Sequence, residues 1–176
     1  MEYVIKIATL DEIIKRMDYL IETHPGNNIW GVAKENAIRG YHEGSKIMYI
    51  GILDGEIISE ATAYIKEEAF VGDIKDTENL LLDERVYLSA FRTNPEYRGQ
   101  GYFSKLFKFM ENDLKSRGYK EMSLGVEPCE VKNMMIYFNY GFTNYIKTNI
   151  EYLPAKDEFS KPIEEIVNYY YKKLGD

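Results

Sequence analysis

The chain has 176 residues, with 22 Lys or Arg against 29 Asp or Glu and a formal net charge of −7. That length suits a single domain over residues 1–176 with one buried core, and that charge argues against a nucleic-acid partner, which needs a basic footprint. One cysteine, Cys129, leaves no internal disulfide and points to a reducing, cytoplasmic setting, while no apolar run approaches the ~18 residues of a membrane span.

Met1-Glu2-Tyr3 carries no basic segment leading into an apolar run, so the start of the chain does not read as a signal peptide. Residues 3–8, with Val4 and Ile5 among polar neighbours, predict a first strand. Thr9 and Glu12 then occupy capping-box positions for a helix with Leu10, Ile13, Ile14, Met17 and Ile21 on one face. His24-Pro25-Gly26-Asn27-Asn28 is a loop by composition, and residues 29–41 predict a second, weaker helix. Trp30, the sole tryptophan, reads as core packing before it reads as a pocket wall. Residues 46–53 and 56–66 flank Asp54-Gly55, a strong hairpin signal. Residues 67–84 are acidic and irregular, with a short helical turn expected at 78–82; their length and polarity suggest a mobile loop near a site, or a solvated one.

Val86-Tyr87-Leu88-Ser89-Ala90-Phe91 predicts a strand, which Asn94-Pro95 breaks. A helix follows from Gly101, with Phe103, Leu106, Phe107, Met110 and Leu114 on one face, and stops at Arg117-Gly118. Residues 121–126 predict a strand ended by Glu127-Pro128. Residues 130–140 predict a helix whose core stripe is Val131, Met134, Met135 and Phe138, with Glu130, Asn133 and Tyr137 along its flank. Residues 143–153 read as one more strand, a surface on which a homodimer could pair. The expectation for residues 157–174 is a terminal helix capped by Ser160, with Pro162 early and Ile163, Ile166, Val167 and Tyr170 inward, so that 155–176 forms a helical extension.

The centre of the chain carries the chemistry. Amides from Gly99 to Phe103, at a helix start, have no carbonyl four residues earlier within the helix and can point at phosphate oxygens. Glycines at 99 and 101 permit close backbone approach, and Arg98 adds a fixed charge with a planar fork of donors. On this spacing alone an ordinary strand-turn-helix competes evenly with an anion site. The absence of both GxxxxGK[ST] and GxGxxG argues against a P-loop and a Rossmann fingerprint. Cys129 reads as a plain thiol, and His24 and His42 lack the clustered spacing of metal ligands.

Arg98-Gly99-Gln100-Gly101-Tyr102-Phe103, after the strand and Pro95, resembles the Arg/Gln-x-x-Gly-x-Gly/Ala signature of the GNAT N-acetyltransferase superfamily. Tyr137-Phe138-Asn139-Tyr140-Gly141-Phe142 resembles that family's Tyr-x-x-x-Gly-Phe. The likeness is specific over roughly residues 85–145 and architectural elsewhere. Phe103 departs from the pattern where Gly or Ala is usual, and Glu130 departs where Asn often stands, leaving Asn133 as its substitute. The resemblance implies a mixed, largely antiparallel α/β sheet flanked by helices on both faces. It implies acetyl-CoA as cosubstrate, held by Phe91, Thr93, Arg98, Gly99, Gln100, Gly101, Tyr102, Phe103 and Asn133. The implied reaction is acetyl transfer to a small-molecule amine, with the Phe91 backbone amide as oxyanion donor and Tyr137 as the acid that protonates the departing thiolate. Tyr87, Ser89 and Phe91 are expected on one strand face by period-two alternation. For the base, a water on Ser89 or the Tyr87 hydroxyl, Glu60 and Glu127 all stay open. A catalytically silent acetyl-CoA-binding sensor is the competing reading.

Overall fold

The computed structural model describes residues 2–70, 74, 76–153 and 163–175. In chain order the elements are β1 (Tyr3–Ile7), α1 (Leu10–Thr23), α2 (Ile29–His42), β2 (Lys46–Leu53), β3 (Glu56–Tyr64), β4 (Arg85–Thr93), α3 (Tyr102–Ser116), β5 (Glu121–Val126), α4 (Val131–Asn139), β6 (Asn144–Leu153) and β7 (Ile163–Lys173). The strands form a seven-stranded sheet in the order β1-β2-β3-β4-β5-β7-β6. Only β4 and β5 run parallel; each of the other neighbouring pairs is antiparallel. No helix among the described residues is long and apolar enough to cross a membrane.

Local chemistry sets most boundaries. The Thr9 hydroxyl accepts from the Glu12 amide at 3.4 Å while the Glu12 carboxylate accepts from the Thr9 amide at 2.8 Å, the reciprocal capping box at the start of α1. Asp54 and Gly55 both take positive φ, 49° and 91°, as a two-residue turn between β2 and β3 requires. On one face of the sheet, Tyr49, Ala61, Val86 and Leu88 pack against Leu106, Phe107, Met110 and Leu114 of α3. On the other, Met48 and Ile50 pack against Ile13, Met17 and Leu20 of α1. The inward row of α1 therefore contains Leu20 and the buried Arg16, while Ile21, expected inside, is 36% exposed.

Four further expectations change. The C-terminal segment is not a helix: β7 inserts between β5 and β6, pairing from Glu121↔Lys173 to Val126↔Asn168 on one side and from Asn144↔Tyr171 to Leu153↔Ile163 on the other. Its Ile, Val and Tyr residues favour a pleated surface. As an interior strand it presents apolar side chains to both faces, and Ile163, Ile166, Val167 and Tyr170 mimic helical spacing only for that reason. The expected cap, Ser160, and Pro162 lie outside the described residues. In α4, Val131 and Met135 are 53% and 61% exposed and Phe138 is exposed; Tyr137 and the C-cap residue Tyr140 pack against the core instead. Within residues 67–84, a short 3-10 turn at Glu67–Phe70 and the turn at 78–80 bury Ala69, Phe70 and Leu80 against Tyr64 and Tyr87, so these parts are anchored to the sheet. The fourth concerns Phe91, below.

β7 supplies the ladder partner of every β5 residue, so ending the chain before Ile163 should abolish cooperative folding, a loss comparable to the ~5–15 kcal/mol of a whole domain. Far-UV circular dichroism should show no sigmoidal melt for the truncated chain. A cooperative transition within a few degrees of the intact protein would contradict this topology.

Candidate active site

The parallel pairing of β4 with β5 runs from Arg85↔Glu121 to Leu88↔Leu124 and then stops. The cause lies on the opposite edge of β4. Ser89 pairs with Thr62 and Arg92 with Glu60, so Ala90 and Phe91 together oppose Ala61 alone. This two-against-one count is a β-bulge, which bends the strand and raises its twist. Ala90 adopts φ 58°, a left-handed conformation that costs a non-glycine residue about 1–2 kcal/mol. Neither Ala90 nor Phe91 has a register partner on β3 or β5. The extra residue also breaks the expected alternation. Ser89 stays on the side of Tyr87, whereas Phe91 turns to the α3 face, 5.6 Å from Phe103, 5.8 Å from Tyr137 and 6.2 Å from Phe107 between ring centres.

A buried ionic bracket holds the bulged strand. Glu60, fully buried, pairs through one carboxylate oxygen with Arg16 Nε and through the other with Arg92 Nη1 at 2.5 Å. Arg16 Nη1 donates to Asn94 Oδ1 at 2.8 Å and to the Ile57 carbonyl at 3.1 Å. The Arg92 guanidinium lies 4.7 Å from the Trp30 ring centre, and Trp30 packs on the α1 side of the core beside His24. Trp30 thus backs the site as a packing residue. Glu60, with both oxygens engaged by guanidinium groups, is not free to act as a base.

The segment after the bulge leads into α3. Arg98 Nε donates to the Thr93 carbonyl at 2.9 Å and Gln100 Nε2 to the Glu96 carbonyl at 2.9 Å, folding the loop back on itself. Gly99 and Gly101 take φ 73° and 81°, and Gly101 is the N-cap of α3 without a side-chain cap. The first α3 amide with a carbonyl partner is that of Lys105, bonded to Gly101 at 3.2 Å. Among the described residues, the amides of Gly99, Gln100, Gly101, Tyr102, Phe103 and Ser104 have no carbonyl partner, and they stand at the positive end of the helix dipole. A Cβ at either glycine would meet nothing within 4 Å, so the loop is open on its outer side. Phe103 turns its ring inward to Phe91 and Tyr140, away from the row of amides. Free amides on an open glycine turn, next to an unpaired stretch of β4, fit an extended ligand bearing a pyrophosphate.

A cleft of about 590 Å3 opens from the gap between β4 and β5. Ser89, Arg92, Val126, Glu127, Asn133 and Tyr137 line this end. Burial, and then the Glu130 carboxylate, push the Tyr137 hydroxyl above the ordinary tyrosine range. Its ring is held by Phe91 and Phe142 at 5.8 and 6.4 Å. Asn133 Nδ2 donates to Glu130 Oε2 at 2.8 Å, joining the two residues at the cleft margin. The Cys129 thiol donates to Glu127 at 3.5 Å; that carboxylate, then burial, raise the thiol, which suits an inert cysteine. Thus Ser89, Asn133 and Tyr137 line one cleft, while Thr93 and the 98–103 loop follow β4 at the start of α3 and are not among the residues that line it, and the rings of Phe91 and Phe103 pack into the core.

The far end of the cleft was not foreseen from the sequence. Tyr64, Tyr87, Tyr169, Glu151 and Glu165 line it. The Tyr169 hydroxyl donates to Glu151 at 2.9 Å, and a Cβ at Gly125 would come within 2.8 Å of the Tyr169 ring, so only glycine admits that ring. Tyr87 was visible as an alternating strand residue on the face of Ser89. Glu165 and Tyr169 were hidden because their strand carries helix-like spacing.

The sequence model described as the acetyltransferase (GNAT) family matches residues 9–142. N-alpha-acetyltransferase 30 of Schizosaccharomyces pombe is 33% identical over 75 residues, 43% of this chain; the match spans about half (50%) of that relative's length. Among solved structures, the ribosomal-protein-S18-alanine N-acetyltransferase of Escherichia coli superposes with TM-score 0.67 at 15% identity, covering 99% of this chain and 96% of that one. A Salmonella typhimurium protein solved with its cofactor acetyl-CoA gives TM-score 0.63 at 13% identity, covering 100% and 96%. An N-acetyltransferase from Staphylococcus aureus Mu50 gives 0.66 at 11%, covering 99% and 100%. At these identities the structural likeness is one of fold.

Proposed function

The chain belongs to the acetyltransferase (GNAT) family, and on that premise we propose that it transfers an acetyl group from acetyl-CoA to the primary amine of a small molecule. The observation that carries this reading is the row of partnerless amides at the start of α3, directly after a β4 whose bulge borders the cleft that Tyr137 lines. Acetyl-CoA supplies an activated acyl carbon and a thiol leaving group. The amides of residues 99–103, with Arg98, hold the pyrophosphate at the helix start; Phe91, Thr93 and Asn133 hold the arm that leads inward. The amide of Phe91, a bulge residue with no register partner on β3 or β5, is the donor assigned to the developing oxyanion; such a donor is worth roughly 2.7–4 kcal/mol. Tyr137 keeps its proton at neutral pH and delivers it to the leaving sulfur. With Glu60 locked between arginines, the proton of the incoming amine passes to Glu127 or to a water held at Ser89.

A peptide α-amino acceptor is the second reading, favoured by the similarity to the Schizosaccharomyces pombe N-alpha-acetyltransferase. Release of free thiol on adding amines, against none from a silent sensor, tests the activity itself.

Cofactor binding has its own test. Saturating acetyl-CoA at about 100 times its Kd should stabilise the fold by ~2.7 kcal/mol, read as a rise in Tm. Arg98→Ala and Gly101→Val should each shrink that rise, the second because φ 81° is strained for a β-branched residue. An unchanged rise in both variants would remove the pyrophosphate assignment.

A further inference from the structure

Tyr140 and Ser104 make a contact that neither the core nor the transfer chemistry accounts for. Tyr140 is the C-cap of α4, three residues after Tyr137, and its amide bonds to the Ile136 carbonyl at 3.1 Å. Its ring packs on Phe107 and Phe103, 4.4 and 5.6 Å away between centres. From that fixed ring the hydroxyl reaches across to α3 and donates to Ser104 Oγ at 2.7 Å. The partners are 36 residues apart in sequence, so the bond ties the end of α4 to the first turn of α3.

The Ser104 amide belongs to the row at the start of α3 that has no carbonyl partner among the described residues. Side chains of a helix lean toward its N-terminus, which carries the Ser104 hydroxyl toward that row. A helical serine often turns its proton back to a carbonyl three or four residues earlier, as Ser116 does to Asp113 at 2.7 Å. Ser104 does not. Its one hydrogen bond among the described residues is the one it accepts from Tyr140, so no carbonyl of α3 takes its proton. A hydroxyl that accepts from one direction sends its single proton in another. With Tyr140 packed on the core, the Ser104 proton points away from that core.

We propose that Tyr140 is a positioning residue for acetyl-CoA: by donating to Ser104 it aims the Ser104 hydroxyl proton at a pyrophosphate oxygen, beside the amides of residues 99–103. This rests on the pyrophosphate assignment made above. An anionic pyrophosphate oxygen only accepts, so a serine oxygen already occupied by a donor is fixed in the role that such a ligand uses. Phenylalanine at position 140 keeps the ring but releases the Ser104 proton to swing back to the Gln100 or Gly101 carbonyl, in competition with the ligand. Through this bond α4 serves both ends of the cofactor: Tyr137 lines the cleft, and Tyr140 acts at the helix start.

A double-mutant cycle on the Kd for acetyl-CoA, measured by calorimetry, tests the pair. Ser104→Ala should weaken binding about tenfold and Tyr140→Phe about threefold, the range for losing and for misdirecting one hydrogen bond to a charged group. In the Ser104→Ala background, Tyr140→Phe should add nothing, because the hydroxyl it aims is gone. Ser104→Thr keeps the hydroxyl and should keep both the affinity and the Tyr140 effect. In turnover, Tyr140→Phe should raise KM for acetyl-CoA and leave kcat at saturation within about twofold, and kcat/KM for acetyl-pantetheine, which has no pyrophosphate, should hold. Ser104 is exposed and Tyr140→Phe retains its ring, so both variants should melt close to the wild type. A Tyr140→Phe loss that persists in the Ser104→Ala background, or that appears equally with acetyl-pantetheine, would mean that Tyr140 acts through packing and would overturn the proposal. Unchanged affinity in Ser104→Ala would overturn it while leaving the amide assignment standing. Unchanged affinity in both Arg98→Ala and Gly101→Val would remove the pyrophosphate site, and the proposal with it.

Discussion

Replacing Tyr137 with phenylalanine should lower kcat by about 10²–10⁴, the range for a lost general acid, and leave the Tm rise with acetyl-CoA nearly unchanged. The ring contacts to Phe91 and Phe142 survive the substitution; only the hydroxyl is lost. The fall should appear in kcat more than in KM, because the proton is needed only as the thiolate leaves. Burial raises this hydroxyl above the ordinary tyrosine value of about 10, so the acid form persists through neutral and mildly alkaline pH. Wild-type kcat should therefore show no alkaline loss from this group below about pH 10, and the phenylalanine variant should be flat over the same range. Tyr145→Phe, at a 58% exposed position on β6, serves as the control and should cost little. Wild-type kcat in Tyr137→Phe, with chemistry shown to be rate-limiting, would assign the proton to water.

Local signals were legible wherever a residue's role is decided by its near neighbours. The Thr9–Glu12 capping box, the Asp54-Gly55 turn and the helix from Gly101 to Arg117 depend on contacts within a few residues, and each stands where it was expected. The family resemblance rested on two such stretches. What stayed hidden depends on distant partners. β7 looks helical because a strand flanked on both sides buries residues of either parity; only its place between β5 and β6 settles the matter. The bulge at Ala90 is a relation between β3 and β4, and nothing at Ala90 itself announces a positive φ. That one extra residue sent Phe91 to the opposite face from Ser89. At α4, counting Val, Met and Phe as core missed that Tyr137 lines the cleft and Tyr140 packs on Phe103 and Phe107. Arg16 carries no local sign of its burial, because its partner, Glu60, is 44 residues away.

That partner supports the largest stability effect expected of a point substitution here. Glu60→Gln should destabilise the fold by about 3–5 kcal/mol, the cost of stranding a buried charge. Arg16 is 1% exposed, and its other hydrogen bonds go to the neutral Asn94 side chain and the Ile57 carbonyl, so no second carboxylate takes over. Arg92→Ala should cost less, since the Arg92 side chain is 35% exposed and Glu60 would keep Arg16. The two substitutions also separate in function. Arg16 ties Asn94, and Glu60 ties Arg92, on either side of Thr93, so Glu60→Gln should loosen the bulged strand and raise the KM for acetyl-CoA even where the variant remains folded. Urea unfolding measures the first effect: the midpoint should fall with little change in slope. Replacing the pair together, Arg16→Met with Glu60→Leu, should recover much of the lost stability, because apolar residues of similar volume carry no charge to desolvate. An unchanged midpoint in Glu60→Gln would mean that the Arg16 charge has a partner other than Glu60. A double variant no more stable than the single one would mean that packing, and not the stranded charge, sets the cost.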